Sequence, residues 1–245
     1  MMKLFYKIFG THSTRLAVSV VIFSLMPASV VAGSKDDPLL SKVQVDQFEW
    51  RDEDVGGVWV LEAQAWVGKD LHKIWFKADA ERTGGETEEA ELQALYSRAV
   101  APYWDFQVGL RRDFEPSPSR NWAVIGLQGL APYFVEVDAA LFLGEGGQSA
   151  FRLQAEHELL FTQKLILSQE LALNFYGQND SEAGVGSGLS DVELGLRLRY
   201  EVRREFAPYI GVTWNQSYGN SADFARSTGE DSGGLQWGLG VRLWF

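Results

Sequence analysis

From about residue 42 to the end of the chain, apolar and polar side chains alternate in runs of roughly ten, and turn-forming clusters separate the runs. A strand sends successive side chains to opposite faces, so each run has one apolar and one polar face. The last run, LQWGLGVRLWF, puts Leu235, Trp237, Leu239, Val241, Leu243 and Phe245 on one face. Gln236, Gly238, Gly240, Arg242 and Trp244 take the other. Over 103–111, Trp104, Phe106, Val108 and Leu110 oppose Asp105, Gln107, Gly109 and Arg111. Over 191–202, Val192, Leu194, Leu196, Leu198, Tyr200 and Val202 oppose Asp191, Glu193, Gly195, Arg197, Arg199 and Glu201. The pattern predicts twelve strands, at 42–50, 57–68, 71–82, 87–98, 103–113, 120–130, 133–143, 149–161, 164–177, 189–203, 207–218 and 234–245.

The connections alternate too. GKD, RAVAP, LAP, TQK and RREFA are short; between them come Gly-, Pro- or Ser-rich and often longer segments, up to YGNSADFARSTGEDSGG at 218–234. Apolar faces outside and charged faces inside invert a soluble protein and suit a barrel in lipid. The predicted fold class is all-β, a transmembrane antiparallel up-and-down β-barrel of about twelve strands over 42–245. An even count places both ends in the periplasm with the short turns. The final strand resembles the closing strand of bacterial outer-membrane barrels, whose assembly machinery recognises a terminal aromatic; taken alone, it also fits the last strand of a soluble sandwich. Aromatics gather where interface girdles belong: Trp122, Phe175, Trp214 and Trp237 towards the loops, Trp104, Tyr133, Tyr200 and Phe245 towards the turns.

Ahead of the strands, residues 1–32 carry Lys3, Lys7 and Arg15, no acid, and an apolar run ending in the small-x-small pattern Val30–Ala32. This reads as a signal peptide cut after Ala32, with a transmembrane anchor as the alternative, and 33–41 as a short periplasmic linker. Without 1–32 the chain has 19 basic and 33 acidic side chains, a net charge of −14. That balance excludes a nucleic-acid partner, which needs a basic footprint. There is no cysteine, and the three methionines, Met1, Met2 and Met26, all lie in the leader. The exported chain therefore has neither thiolate nor thioether for a soft metal.

Three stretches, AELQALYSRAVAPYWDFQVGLRRDF at 90–114, NWAVIGLQGLAPYFVEVDAALFLGEGG at 121–147 and GSGLSDVELGLRLRYEVRREFAPYIGVTW at 186–214, resemble the copper resistance protein B family. The resemblance spans about 45–245. It implies a barrel in the outer membrane that takes part in copper tolerance, with copper ion as its metal and with outer-membrane lipids, the barrel assembly machinery and periplasmic copper-resistance proteins as partners. Family members often carry a Met- and His-rich segment before the barrel; here Gly33–Leu40 holds neither residue. Copper binding or passage at the outer membrane is the expected role, and a porin-like or structural barrel without a direct copper role is the alternative.

The candidate ligands are carboxylates and two histidines. Parity puts His72 and His157 on apolar faces near short turns, as interfacial residues. No GxSxG motif follows the leader, and an outer-membrane lipid hydrolase lacks a serine placed beside a base, so no enzyme is predicted. A register symmetric about Gly85 sets Asp79 opposite Glu91 and Glu81 opposite Glu89, the first candidate metal group. Lys77 and Arg111 are the expected neutralising partners, with Arg111 across from Glu89. The set is either a salt-bridged wall or a cation-attracting mouth. A second row, Glu136, Glu156 and Glu170, follows from the next turns, with Arg152, Arg197 and Arg199 as partners. Oxygen ligands suit hard cations and Cu(II) better than Cu(I).

Overall fold

The computed structural model describes residues 37–52, 56–229 and 231–245. The predicted signal peptide and the first part of the linker lie outside the described residues. Twelve strands follow in order: β1 (Leu40–Arg51), β2 (Val58–Gly68), β3 (His72–Thr83), β4 (Glu86–Ala101), β5 (Trp104–Glu115) and β6 (Arg120–Ala131). Then come β7 (Val135–Gly144), β8 (Ser149–Leu160), β9 (Leu165–Tyr176), β10 (Gly188–Tyr200), β11 (Phe206–Ser217) and β12 (Gly233–Trp244). Each strand pairs antiparallel with the next, and β12 closes on β1. Closure leaves no unpaired edge, which a sheet in lipid requires. Phe245 completes the seam by exchanging backbone hydrogen bonds with Val43 at 3.0 and 2.8 Å, so Leu40 and Phe245 lie at the short-turn end.

Alternation decides the facing of each strand. Phe106, Val108 and Leu110 on β5 and Leu194 and Leu196 on β10 are exposed on the outer surface, while Gln107, Arg111, Arg197 and Arg199 are buried within. An arginine on the lipid face near the midplane costs about 2–4 kcal/mol, so this parity is strongly enforced.

Three details differ from the sequence expectation. Residues Pro132–Phe134 form a 3-10 turn, so β7 starts at Val135 and not at 133; Tyr133 and Phe134 take left-handed φ values of 67° and 60°. The last long loop contains a helix, α1 (Gly219–Thr228), stopped by Gly229 in the left-handed region, φ 86°, whose N–H caps the carbonyls of Ala225 and Arg226. Trp122, expected in the girdle, faces inward. It joins Leu95, Val124, Ala140, Phe142 and Ala150 in an apolar cluster inside the barrel, where its Nε1 donates to Asp113 at 2.8 Å.

Candidate functional site

The lumen carboxylates line up by register. Glu62 on β2 stands opposite Asp79 on β3, Asp79 opposite Glu91 on β4, and Glu91 opposite Asp113 on β5. Glu81 stands opposite Glu89. The pairings expected across Gly85 therefore hold, and the row is longer than expected. Like charges directly across a strand pair repel unless a cation intervenes. Two guanidinium groups do so here. Arg111 Nη2 lies 2.8 Å from Glu91, and its Nε donates to Asp113 at 2.6 Å. Arg152, reaching from β8, grips Glu91 with both Nη atoms at 3.3 and 3.0 Å and passes 3.9 Å from Asp79.

Two expected partners are corrected. β4 runs on to Ala101 and turns at Pro102–Tyr103, with a bulge at Ala99/Ala101, so the register is not symmetric about Val100 and Arg111 faces Gln93 and not Glu89. Lys77 leaves the first row altogether and pairs with Asp138 on β7, also lying 3.4 Å from Gln107. Glu81 and Glu89 have no ion pair among the described residues.

The second row is also in register: Glu136 opposite Glu156, and Glu156 opposite Glu170. Arg197 pairs with Glu170, as expected, and also with Glu49 at 2.9 Å. Glycines make room for it. A Cβ on Gly195 would come within 2.6 Å of Arg197 Nη1, and one on Gly238 within 2.7 Å of Glu49 Oε1. Arg199 bonds Glu158 at 2.7 Å, outside the row. Glu156 instead meets Arg242 of β12, at 3.6 Å; Arg242 also holds Glu158 at 2.9 Å and Asp46 at 3.2 Å.

Several of these contacts cross the lumen. Lys77–Asp138, Arg152–Glu91, Arg242–Glu158 and Gln47–Glu170 each join strands four apart in a ring of twelve. The interior is thus braced by polar struts, and among the described residues two of the spaces between them stand out. The larger, about 360 Å³, is walled by Asp46, Glu62, Asp79, Glu136, Asp138, Glu156 and Glu170 against Lys77, Arg152, Arg197, Arg199 and Arg242. Seven carboxylates thus face five cationic groups. Glu62 and Glu136 take part in no ion pair among the described residues. The smaller space, about 110 Å³, lies under the loops beside Glu89, Arg111, Asp113, Trp122 and Asp180.

Glu49, Asp46, Glu62, Asp113, Asp138 and Glu158 are among the lumen residues that the sequence reading passed over, and Arg242 was placed on the polar face without a partner. A symmetric register across Gly68–Lys73 would have paired Glu62 with Asp79; Asp113 needed the true position of the turn after Ala101. His72 bonds Tyr96 Oη at 2.5 Å and stacks on its ring, and His157 lies beside Gln169, both away from the carboxylate rows. Among the described residues, no three His, Asp or Glu side chains converge as a ready-made metal-ligand set.

Comparison with known proteins follows the same line. In overall fold the chain is similar to the NanC porin, TM-score 0.55 at 12% identity over 83% of this chain and 99% of that one. It is also similar to the KdgM porin, TM-score 0.52 at 11% identity with the same coverage. At these identities the likeness concerns the outer-membrane barrel fold. In sequence it is 47% identical over 210 residues, 86% of this chain and 71% of the relative, to a copper resistance protein B homolog of Pseudomonas syringae pv. tomato. It is 47% identical over 203 residues, 83% of this chain and 69% of the relative, to copper resistance protein B of Escherichia coli. The profile of the family described as copper resistance protein B precursor (CopB) matches residues 39–245, the barrel with one residue before it. The chain is an outer-membrane barrel that belongs to the copper resistance protein B family.

Proposed function

We propose that this barrel serves copper tolerance by drawing Cu(II) into its acidic lumen and binding it there weakly or letting it pass. The observation that carries the reading is the excess of carboxylates around the larger space, with Glu62 and Glu136 in no ion pair among the described residues. In a narrow, low-dielectric lumen such an excess raises the local concentration of cations. Oxygen donors with no thiolate or thioether favour Cu(II) over Cu(I). Among the described residues the carboxylates are spread along the wall, an arrangement an ion can leave, as conduction needs. Asp79, Glu81, Glu89 and Glu91, and the row Glu136, Glu156 and Glu170, are the acidic wall in this reading. Periplasmic copper-resistance proteins are the partners on the short-turn side.

The test is copper tolerance and cell-associated copper in a deletion strain, complemented with the wild-type chain or with Glu62→Gln/Glu136→Gln. Loss of tolerance on deletion, with only partial rescue by the double variant at equal outer-membrane levels, is expected. Unselective conductance with no change in copper tolerance would instead favour a porin-like barrel without a copper role.

A further inference from the structure

Glu91 occupies an unusual place. It is 4% exposed and sits between the two lumen spaces. Arg152, which holds it on one side, lines the larger space; Arg111, which holds it on the other, lines the smaller. Phe142, 1% exposed, lies under both guanidinium planes, 4.7 Å from Arg111 and 5.6 Å from Arg152. Gln93 donates a further hydrogen bond to Glu91 at 2.6 Å. Bidentate pairing of a guanidinium with a carboxylate is geometrically specific. These side chains therefore form a partition between the outer and central spaces.

The two arginines are not held alike. Arg111 is locked at both ends, by Glu91 and by Asp113, and Asp113 is itself fixed by Trp122. Arg152 is tethered at Nε, which donates to Asn174 Oδ1 at 3.1 Å, while its Nη end has a second carboxylate within reach: Asp79, 3.9 Å away on the wall of the larger space. It can exchange Glu91 for Asp79 without losing a carboxylate partner.

We propose that Glu91 is the selectivity-determining residue of cation passage through this barrel, with Arg152 as the movable half of its clamp. A divalent cation arriving from the outer space competes with Arg152 for the Glu91 carboxylate. Arg152 then swings to Asp79, and the partition opens into the central space. A monovalent cation, with half the charge, competes poorly against a bidentate guanidinium. The proposal rests on the reading of the lumen as a cation path.

The test uses the purified full barrel in planar lipid bilayers, with conductance recorded in KCl before and after addition of CuCl2 or MgCl2. The wild type is expected to show low conductance that rises when a divalent ion is added. Arg152→Ala should raise the KCl conductance roughly threefold or more and abolish the response to divalents, because the clamp is already open. Glu91→Gln should also lose the divalent response, and its reversal potential in a KCl gradient should shift towards anions, since the two guanidinium groups then lose the carboxylate they share. Arg152→Lys, which keeps the charge but not the bidentate grip, should lie between wild type and alanine; it carries the test if the alanine variant does not assemble. Wild-type conductance and divalent response in both Arg152 variants would overturn the proposal, even if the protein passes copper. An Arg152 variant that opens to potassium while copper neither permeates nor protects cells would retain the partition and remove copper as its cargo.

Discussion

Glu62 and Asp79 stand directly opposite each other on β2 and β3, both inside the barrel, and Glu62 has no ion pair among the described residues. A cross-strand pair of like charges costs a few tenths to about 1 kcal/mol. Glu62→Gln should therefore leave the barrel at least as stable, by about 0–1 kcal/mol in urea unfolding. If the acidic wall serves cations, the same variant should bind Cu(II) more weakly in calorimetry of the detergent-solubilised protein. A clear loss of stability with unchanged copper binding would make the pair purely structural.

Arg197 sits at the other extreme. It joins Glu49, Glu170 and Gln47 from β1 and β9, and is buried. Removing one partner of a buried ion pair leaves uncompensated charge, and about 3–5 kcal/mol is the usual loss. Arg197→Ala should therefore lower unfolding stability by that order. Arg226→Ala, which breaks only the exposed pair with Asp223, should change it by about 0–1 kcal/mol. Equal effects from the two would contradict the strut description.

Phe245→Asp replaces the terminal aromatic and places a charge where the outer face of the seam meets lipid. The backbone exchange with Val43 remains available to any residue, so a defect points to the side chain. The expected result is little heat-modifiable barrel in the outer membrane and accumulation or degradation in the periplasm, seen by fractionation. Normal yields would show that this chain's assembly does not read Phe245.

Asp180 binds the loop after β9 to its neighbours. Its carboxylate accepts from Arg120 Nε at 2.9 Å, Gln148 Nε2 at 3.2 Å, and the backbone N–H groups of Glu182 and Ala183 at 3.1 and 3.2 Å. Burial works to raise its pKa, but the Arg120 hydrogen bond and the backbone donors outweigh it and hold the carboxyl below the usual aspartate range. A depressed folded-state pKa contributes stability that is complete above the unfolded value, about 3.9, and is lost as the pH falls through the lower folded value. Protease resistance of 115–120 and 177–188 should thus be the same at pH 7 and pH 5 and fall only below about pH 4. Asp180→Asn should reproduce the acid state at pH 7.

Much of the fold was legible because period-two alternation is the constraint that lipid imposes: Leu194 and Leu196 out, Arg197 and Arg199 in. Where both faces of a run are apolar, alternation carries little information. Trp122 and Ala123, Val124 and Ile125 read alike, and only Gln128 further along marks the inner parity. The α1 helix was hidden in a Gly- and Ser-rich segment, its sole strong cue the terminating Gly229. The carboxylate rows were legible from hairpin symmetry, since register within a hairpin is local. Near-strand partners such as Arg197 for Glu170 were legible too, but partners across the lumen were not, because Lys77–Asp138 and Arg152–Glu91 depend on the diameter and shear of the closed ring.

The polar struts also bear on how the barrel is made. Arg197 and Glu49 are separated by 148 positions, Gln47 and Glu170 by 123, and β1 reaches these partners only across the ring that β12 completes. Before closure, Glu49, Asp46 and Gln47 on β1 would face inward without Arg197, Arg242 and Glu170, a state the hydrocarbon core disfavours. For β1, chain closure and charge neutralisation therefore coincide. Pairs such as Lys77 with Asp138 form without the seam, but its closing adds the contacts of β1 with Arg197 and Arg242 together, favouring the closed barrel over accumulation of open sheets.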